Sequence, residues 1–358
     1  MTIHSGYKKQ LPALIIAVLG LMAGTEYSSA VISCPVPITT VAAPYAANYG
    51  CWDGNNFWIG GKNNLYKIAG SGKLLNTYSL PDYGYGSTLQ MAWDGAYLWI
   101  GNYDVSGTLN KFDTATGKII RSYIFNPANS GSGGIQGVIW DGARLWCGLP
   151  ASGGIVLCFN PSTGRINMTI TAQTNVNGLT FAGSGGQEYV LAACSGFWSK
   201  INTATGVYTT YKTPNSYTAY RIVSDGAFVF VSDYTFGHGE TFNRIFKYDL
   251  STGALVDTWA SGVGLNTIMY DGNYIWTAGD DLNVNIHDKK TGKILCTLAG
   301  AGQSDLVFDG SSVWSVSAGT EGNGYSGMVR KISMMKPVIP PAITPVLAGS
   351  RTSTPVPQ

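Results

Sequence analysis

The sequence predicts an all-β protein: a seven-bladed β-propeller of four-stranded blades, its ring closed by an N-terminal strand. Three observations point there. Of 358 residues, 47 are glycine and only 12% are charged, a composition typical of β-structure rich in tight turns. An apolar run, Asp-Gly and then an aromatic residue five positions after the Asp recur along the chain. The anchors at positions 58, 99, 146, 191, 230, 276 and 314 return about every 43 residues, the period of a four-stranded blade.

The N-terminus reads as a targeting segment. Lys8 and Lys9 precede a short apolar run from Leu11 to Gly24, and Ser28-Ser29-Ala30 offers small residues for cleavage. That run falls short of the roughly 20 apolar residues a membrane span needs. Residues 1–30 are therefore expected to be a signal peptide, and the mature chain a secreted, cell-surface or periplasmic protein without a membrane span. Residues 31–44 come next. Within them Val36 to Ala42 is extended and β-branched, as expected of a strand that fastens the ring.

The propeller proper is expected over residues 45–336. The first strand of each repeat ends in Asp-Gly, as in Trp52-Asp53-Gly54, Trp93-Asp94-Gly95 and Trp140-Asp141-Gly142. The later copies are Asp225-Gly226, Asp271-Gly272 and Asp309-Gly310, with a degenerate fourth repeat at Phe181-Ala182-Gly183. Asp-Gly between apolar segments signals a hairpin, here expected as a type I′ turn. A second strand, a variable loop and a third strand follow. The turn Asp/Asn-x-x-Thr-Gly then leads into the fourth strand, at Asp113 to Gly117, Asn160 to Gly164, Asn202 to Gly206, Asp249 to Gly253 and Asp288 to Gly292. The seventh repeat has a third strand at Met328 to Ile332 but no such turn, so the N-terminal strand is expected to complete it. Residues 337–358 carry six prolines and read as a polyproline-like tail.

The Thr-Gly-Lys turn and the repeat period resemble those of the YncE-like and streptogramin-lyase-like group of exported propellers, over roughly residues 45–335. That resemblance implies the fold. The lyases use an acid/base histidine with acidic metal ligands, and no such set falls on matching positions here. Quinoprotein propellers share the Thr-Gly turn but place a Trp four residues after the Gly, where this chain has Arg121, Met168, Asp257 and Cys296. No cofactor is expected.

Charge narrows the partners. With 22 basic and 20 acidic residues, the chain lacks the basic footprint of a nucleic-acid binder. The loops joining second to third strands, and the connections between blades, are rich in Tyr, Asn and Gly. Tyrosine supplies contact area at low entropic cost, so Tyr83, Tyr85, Tyr103, Tyr217, Tyr220, Tyr234, Phe236 and Tyr325 are candidate binding residues. A protein or glycan partner, or further copies of the chain, would fit such a face. A weaker metal or acid/base candidate is His238 with Glu240 on a glycine-flanked loop. His287 reads as structural, and the turn aspartates as caps of their own backbone. Asp280-Asp281 suits Ca²⁺ less well than it suits a solvated loop.

Export makes cysteines disulfide candidates. Cys147 and Cys158 flank a hairpin loop and are expected to face each other. Cys34 and Cys51 bracket the entry to the first blade. The partners of Cys194 and Cys296 stay open, since six cysteines allow 15 connectivities. The leading expectation is a non-enzymatic exported propeller that binds a surface partner or assembles with itself. The alternative is a lyase or lactonase-like enzyme at the mouth of the central channel.

Overall fold

The computed structural model describes residues 32–35, 37–43, 48–61, 63–82, 88–104, 106–125, 134–150, 153–172, 174–214, 219–234, 244–261, 264–318 and 327–337. Seven four-stranded antiparallel sheets form the blades. Blades 1 to 6 span residues 49–79, 88–124, 137–171, 176–212, 219–260 and 265–298. Blade 7 consists of Asp305–Phe308, Ser312–Ser317 and Gly327–Ser333, with Pro37–Ala43 as its outer strand. The first strand of every blade packs against the first strand of the next, and that of blade 7 against that of blade 1. The first strands therefore line the central channel, and the ring is closed by an N-terminal strand, as expected.

The repeated Asp and Trp form one device. Asp53 Oδ1 accepts the backbone N–H of Asn55 and Asn56, while its Oδ2 accepts the Trp58 indole N–H at 2.6 Å. Asp94, Asp141, Asp271 and Asp309 repeat the arrangement on Trp99, Trp146, Trp276 and Trp314. All five indoles are fully buried. A buried indole needs a partner for its N–H, which ties the tryptophan to the aspartate five residues earlier. Blade 5 has Phe230 instead, and Lys289 pairs with Asp225 at 3.2 Å.

The turns are not type I′. Only the glycine of each Asp-Gly pair has a positive φ, as at Gly54 with 94°, and the Asp side chain closes a longer loop. Two consecutive positive φ values occur in blade 4, at Gly185 and Gly186, between Ser184 and Gln187, which pair directly.

A second device joins neighbouring blades. Lys200 of blade 4 donates to Leu250 O in the Thr-Gly turn region of blade 5, and Lys247 of blade 5 to Lys289 O in blade 6. Arg144 of blade 3 reaches Thr203 O in blade 4, and Lys331 of blade 7 reaches Gly70 O in blade 1. Each cation comes from one blade and holds the carbonyl of the next. Ile286 takes the register position of these lysines in blade 6, where no chain turn follows in blade 7.

That seam is held otherwise. Cys296 on the outer strand of blade 6 is disulfide-bonded to Cys34, just ahead of the N-terminal strand, with a Cα–Cα distance of 5.6 Å. At the next seam, between blades 7 and 1, Val41 packs against the core cluster that holds Phe57 and Trp314, and Ile32–Ser33 pairs with Lys336–Pro337. The expected cysteine pairings are corrected. In the hairpin of blade 3, Cys147 faces Leu157 and Cys158 faces Trp146. That one-residue offset puts the two thiols on opposite sides of the sheet. Cys147 joins the core between blades 2 and 3, and Cys158 the core between blades 3 and 4. Cys51, Cys147, Cys158 and Cys194 are free and buried. The expected signal peptide, residues 1–30, and residues 338–358 of the expected tail lie outside the described residues. No helix among the described residues is long and apolar enough to cross a membrane.

Candidate functional site at the channel mouth

Because the Asp-Gly and Thr-Gly turns share one face, the opposite face carries the starts of the first strands and the ends of the second. There β-bulges interrupt the first strands of four blades, between Thr88 and Gln90 in blade 2 and, in the consecutive blades 4, 5 and 6, between Val176 and Gly178, Ala219 and Arg221, and Leu265 and Thr267. In those three consecutive blades the extra residues are Asn177, Tyr220 and Asn266. A bulge re-aims a side chain, and here the bulges of blades 4, 5 and 6 act at the rim of one channel.

Arg221 of blade 5 crosses that channel. Its guanidinium donates to the Tyr49 hydroxyl of blade 1 at 2.8 Å and to the Asn177 carbonyl of blade 4. It also lies against two rings, 5.1 Å from the Tyr49 centroid and 4.6 Å from that of Tyr220, and those two tyrosines hydrogen-bond each other. Tyr234 then packs against Tyr220, with centroids 5.2 Å apart and the rings tilted by 33°. Tyr49, Arg221, Tyr220 and Tyr234 thus form one column from the channel interior to the rim. Cation–π contacts strengthen when the cation is desolvated, and Arg221 is 9% exposed.

Polar partners surround the column. Asp305 of blade 7 accepts Gly50 N–H of blade 1 at 2.9 Å and the Thr267 hydroxyl of blade 6 at 3.3 Å. Burial raises its carboxyl to about 6, although these hydrogen bonds and Arg221 draw it back. Burial also pushes the Tyr49 phenol well up. For Arg221 burial acts downward, but the Tyr49 and Tyr220 oxygens and Asp305 outweigh it and keep the group cationic. At the rim, Asn266 donates to Asp280 at 2.8 Å. Burial and the adjacent Asp280 raise the Tyr234 phenol. Gly264 has no room for a Cβ beside Asp280 and Tyr234.

Of the candidate binding residues, Tyr220 and Tyr234 are brought together and remain partly exposed. Tyr103 lies apart in blade 2, against Gly134, beside a loop closed by Asp104 through Thr108. Tyr83, Tyr85, Tyr217, Phe236 and Tyr325 lie outside the described residues, as do His238 and Glu240. His287 is enclosed in blade 6, with Nε2 on the Thr277 hydroxyl and Nδ1 on Gly292 O. Burial lowers its pKa. Asp281 is taken up by Asn283, and no metal-binding group of three or more His, Cys, Asp or Glu occurs among the described residues.

Sequence reasoning missed Tyr49, Arg221 and Asp305. Each begins or nearly begins a first strand, and a polar or charged residue at a position expected to line a narrow channel was a signal that could have found them. No family model matches this chain, and no curated protein matches it.

Proposed function

We propose that this chain is an exported, non-enzymatic propeller of the YncE-like or streptogramin-lyase-like type, and that it binds a surface partner, protein or glycan, through its loop face. Packing of further copies through the same face is part of this reading. The observation that carries it is the column Tyr49–Arg221–Tyr220–Tyr234. It fixes two partly exposed tyrosines at the rim by a cation held underneath, so little side-chain entropy is lost when they are covered. The groups at the mouth spend their hydrogen bonds on one another across the blades, which suits a rigid platform better than proton transfer. The disulfide fits an oxidising compartment.

The test compares mature chain with the Tyr220→Ala/Tyr234→Ala variant. Binding to an immobilised panel of polysaccharides and extracellular proteins is measured by interferometry, and self-association by light scattering with negative-stain microscopy. The reading expects one of these to occur and to weaken at least tenfold in the variant. Retention of every interaction by a folded variant overturns it.

A further inference from the structure

Among the described residues no strand pairs with the outer side of the blades, and every outer strand but that of blade 4 carries a bulge, which in blades 2, 3, 5 and 6 lies close to the Thr-Gly turn. In register terms the extra residue is Leu75 in blade 1, Ile120 in blade 2, Val256 in blade 5, Leu295 in blade 6 and Ile38 in the closing strand. In blade 3 Cys158 faces Met168 and Phe159 faces Ile166, so the extra residue is Asn167. Five bulges hold an apolar residue there and one holds an asparagine.

That asparagine opens the triplet Asn167-Met168-Thr169, the acceptor pattern for N-linked sugar. The sequence has one other such triplet, Asn160-Pro161-Ser162, and proline at its centre rules it out. Asn160 is also occupied, its Oδ1 accepting the N–H of Ser162 and Thr163. Asn167 and Thr169 are both exposed in Arg165–Thr171, on the open side of the last strand of the sheet.

We infer that Asn167 is an N-glycosylation acceptor, with a polyprenyl-phosphate-linked oligosaccharide as donor. The Asn167 Nδ2 forms a bond to the anomeric carbon, the bond from that carbon to the phosphate oxygen breaks, and the amide proton leaves with the displaced polyprenyl phosphate or solvent. No electrons are transferred. The bulge lets the finished fold carry the glycan without disturbing the ladder, and the sugar screens a free edge from pairing with other strands.

The full chain is secreted from a host with an N-glycosylating export pathway, and its intact mass is measured before and after peptide-N-glycosidase treatment. The inference expects a glycan mass that the enzyme removes, leaving an aspartate at position 167. That mass is lost in Asn167→Gln and in Thr169→Ala and retained in Thr169→Ser. An unmodified chain, while a control glycoprotein from the same host is modified, overturns it. So does a glycan that persists in Asn167→Gln.

Discussion

At the turn face, Asp53, Asp141 and Asp309 each receive two turn amides and an indole N–H. Burial works against their ionisation, yet these bonds hold the carboxyls below the usual range. At the mouth, Asp305 receives the Gly50 and Leu306 amides and the Thr267 hydroxyl, yet burial prevails. The same residue type is thus held ionised on one face and pushed towards protonation on the other. The turn face repeats one solution blade after blade. The mouth is made once, from different residues on blades 4, 5, 6, 7 and 1.

The seam on which both faces depend gives the largest effect. Cys296→Ala frees a cross-link spanning 262 residues of sequence, and the loss of stability is expected to be about 4 kcal/mol. Chemical denaturation under oxidising conditions reads it. An unchanged midpoint would mean that the hydrogen bonds of Pro37–Ala43 close the ring unaided.

Asp271→Ala comes next. It strips a buried carboxylate from two amides and leaves the Trp276 indole N–H without its partner, at an expected cost of about 3 kcal/mol. Asp225→Ala, in the blade where Phe230 has no N–H to lose and a partly exposed Lys289 pairs with the carboxylate instead, should cost about half as much. Equal losses would show that the indole bond contributes no more than that ion pair.

Arg221→Met is expected to cost about 2 kcal/mol, because Tyr49 and Asn177 lose a donor across the channel. It should also raise the Asp305 carboxyl further, since Arg221 lowers it. A variant as stable as the parent would contradict a braced mouth.

The smallest change in stability separates platform from scaffold. Tyr234→Ala removes the rim layer of the column and is expected to alter stability by less than about 1 kcal/mol while weakening partner binding. A larger loss of stability than in Arg221→Met would make Tyr234 a core residue.

The difference between the faces also explains what the sequence could reveal. Asp-Gly with Trp five residues on is local and repeated, so blades, strand order and ring closure were legible from it. Its reach to the indole N–H was legible in principle, since blade 5 replaces Trp with Phe and blade 4 lacks both partners. The mouth joins Tyr49 to Arg221, which are 172 residues apart, through a channel that exists only after the ring closes. No spacing encodes that. Tyr220 and Tyr234 were singled out from loop composition, but their contact with each other was not. The cysteine pairing failed on a one-residue register, the quantity a hairpin count resolves least well.

The central contrast is most directly tested by carboxyl NMR titration of the folded chain, with Asp305→Asn used for assignment. Asp305 is expected to titrate near 6, whereas Asp249 on the turn face, held by Ser251 and Thr252, titrates near 2. The raised value means that the fold binds the Asp305 proton more tightly than the unfolded chain does. Its contribution therefore falls as pH rises from about 4 to 6. The depressed turn carboxyls contribute above about pH 4 and lose that contribution as pH falls through their folded values. An Asp305 midpoint near 4, with no falling limb of stability for Asp305→Asn to remove, would contradict the account.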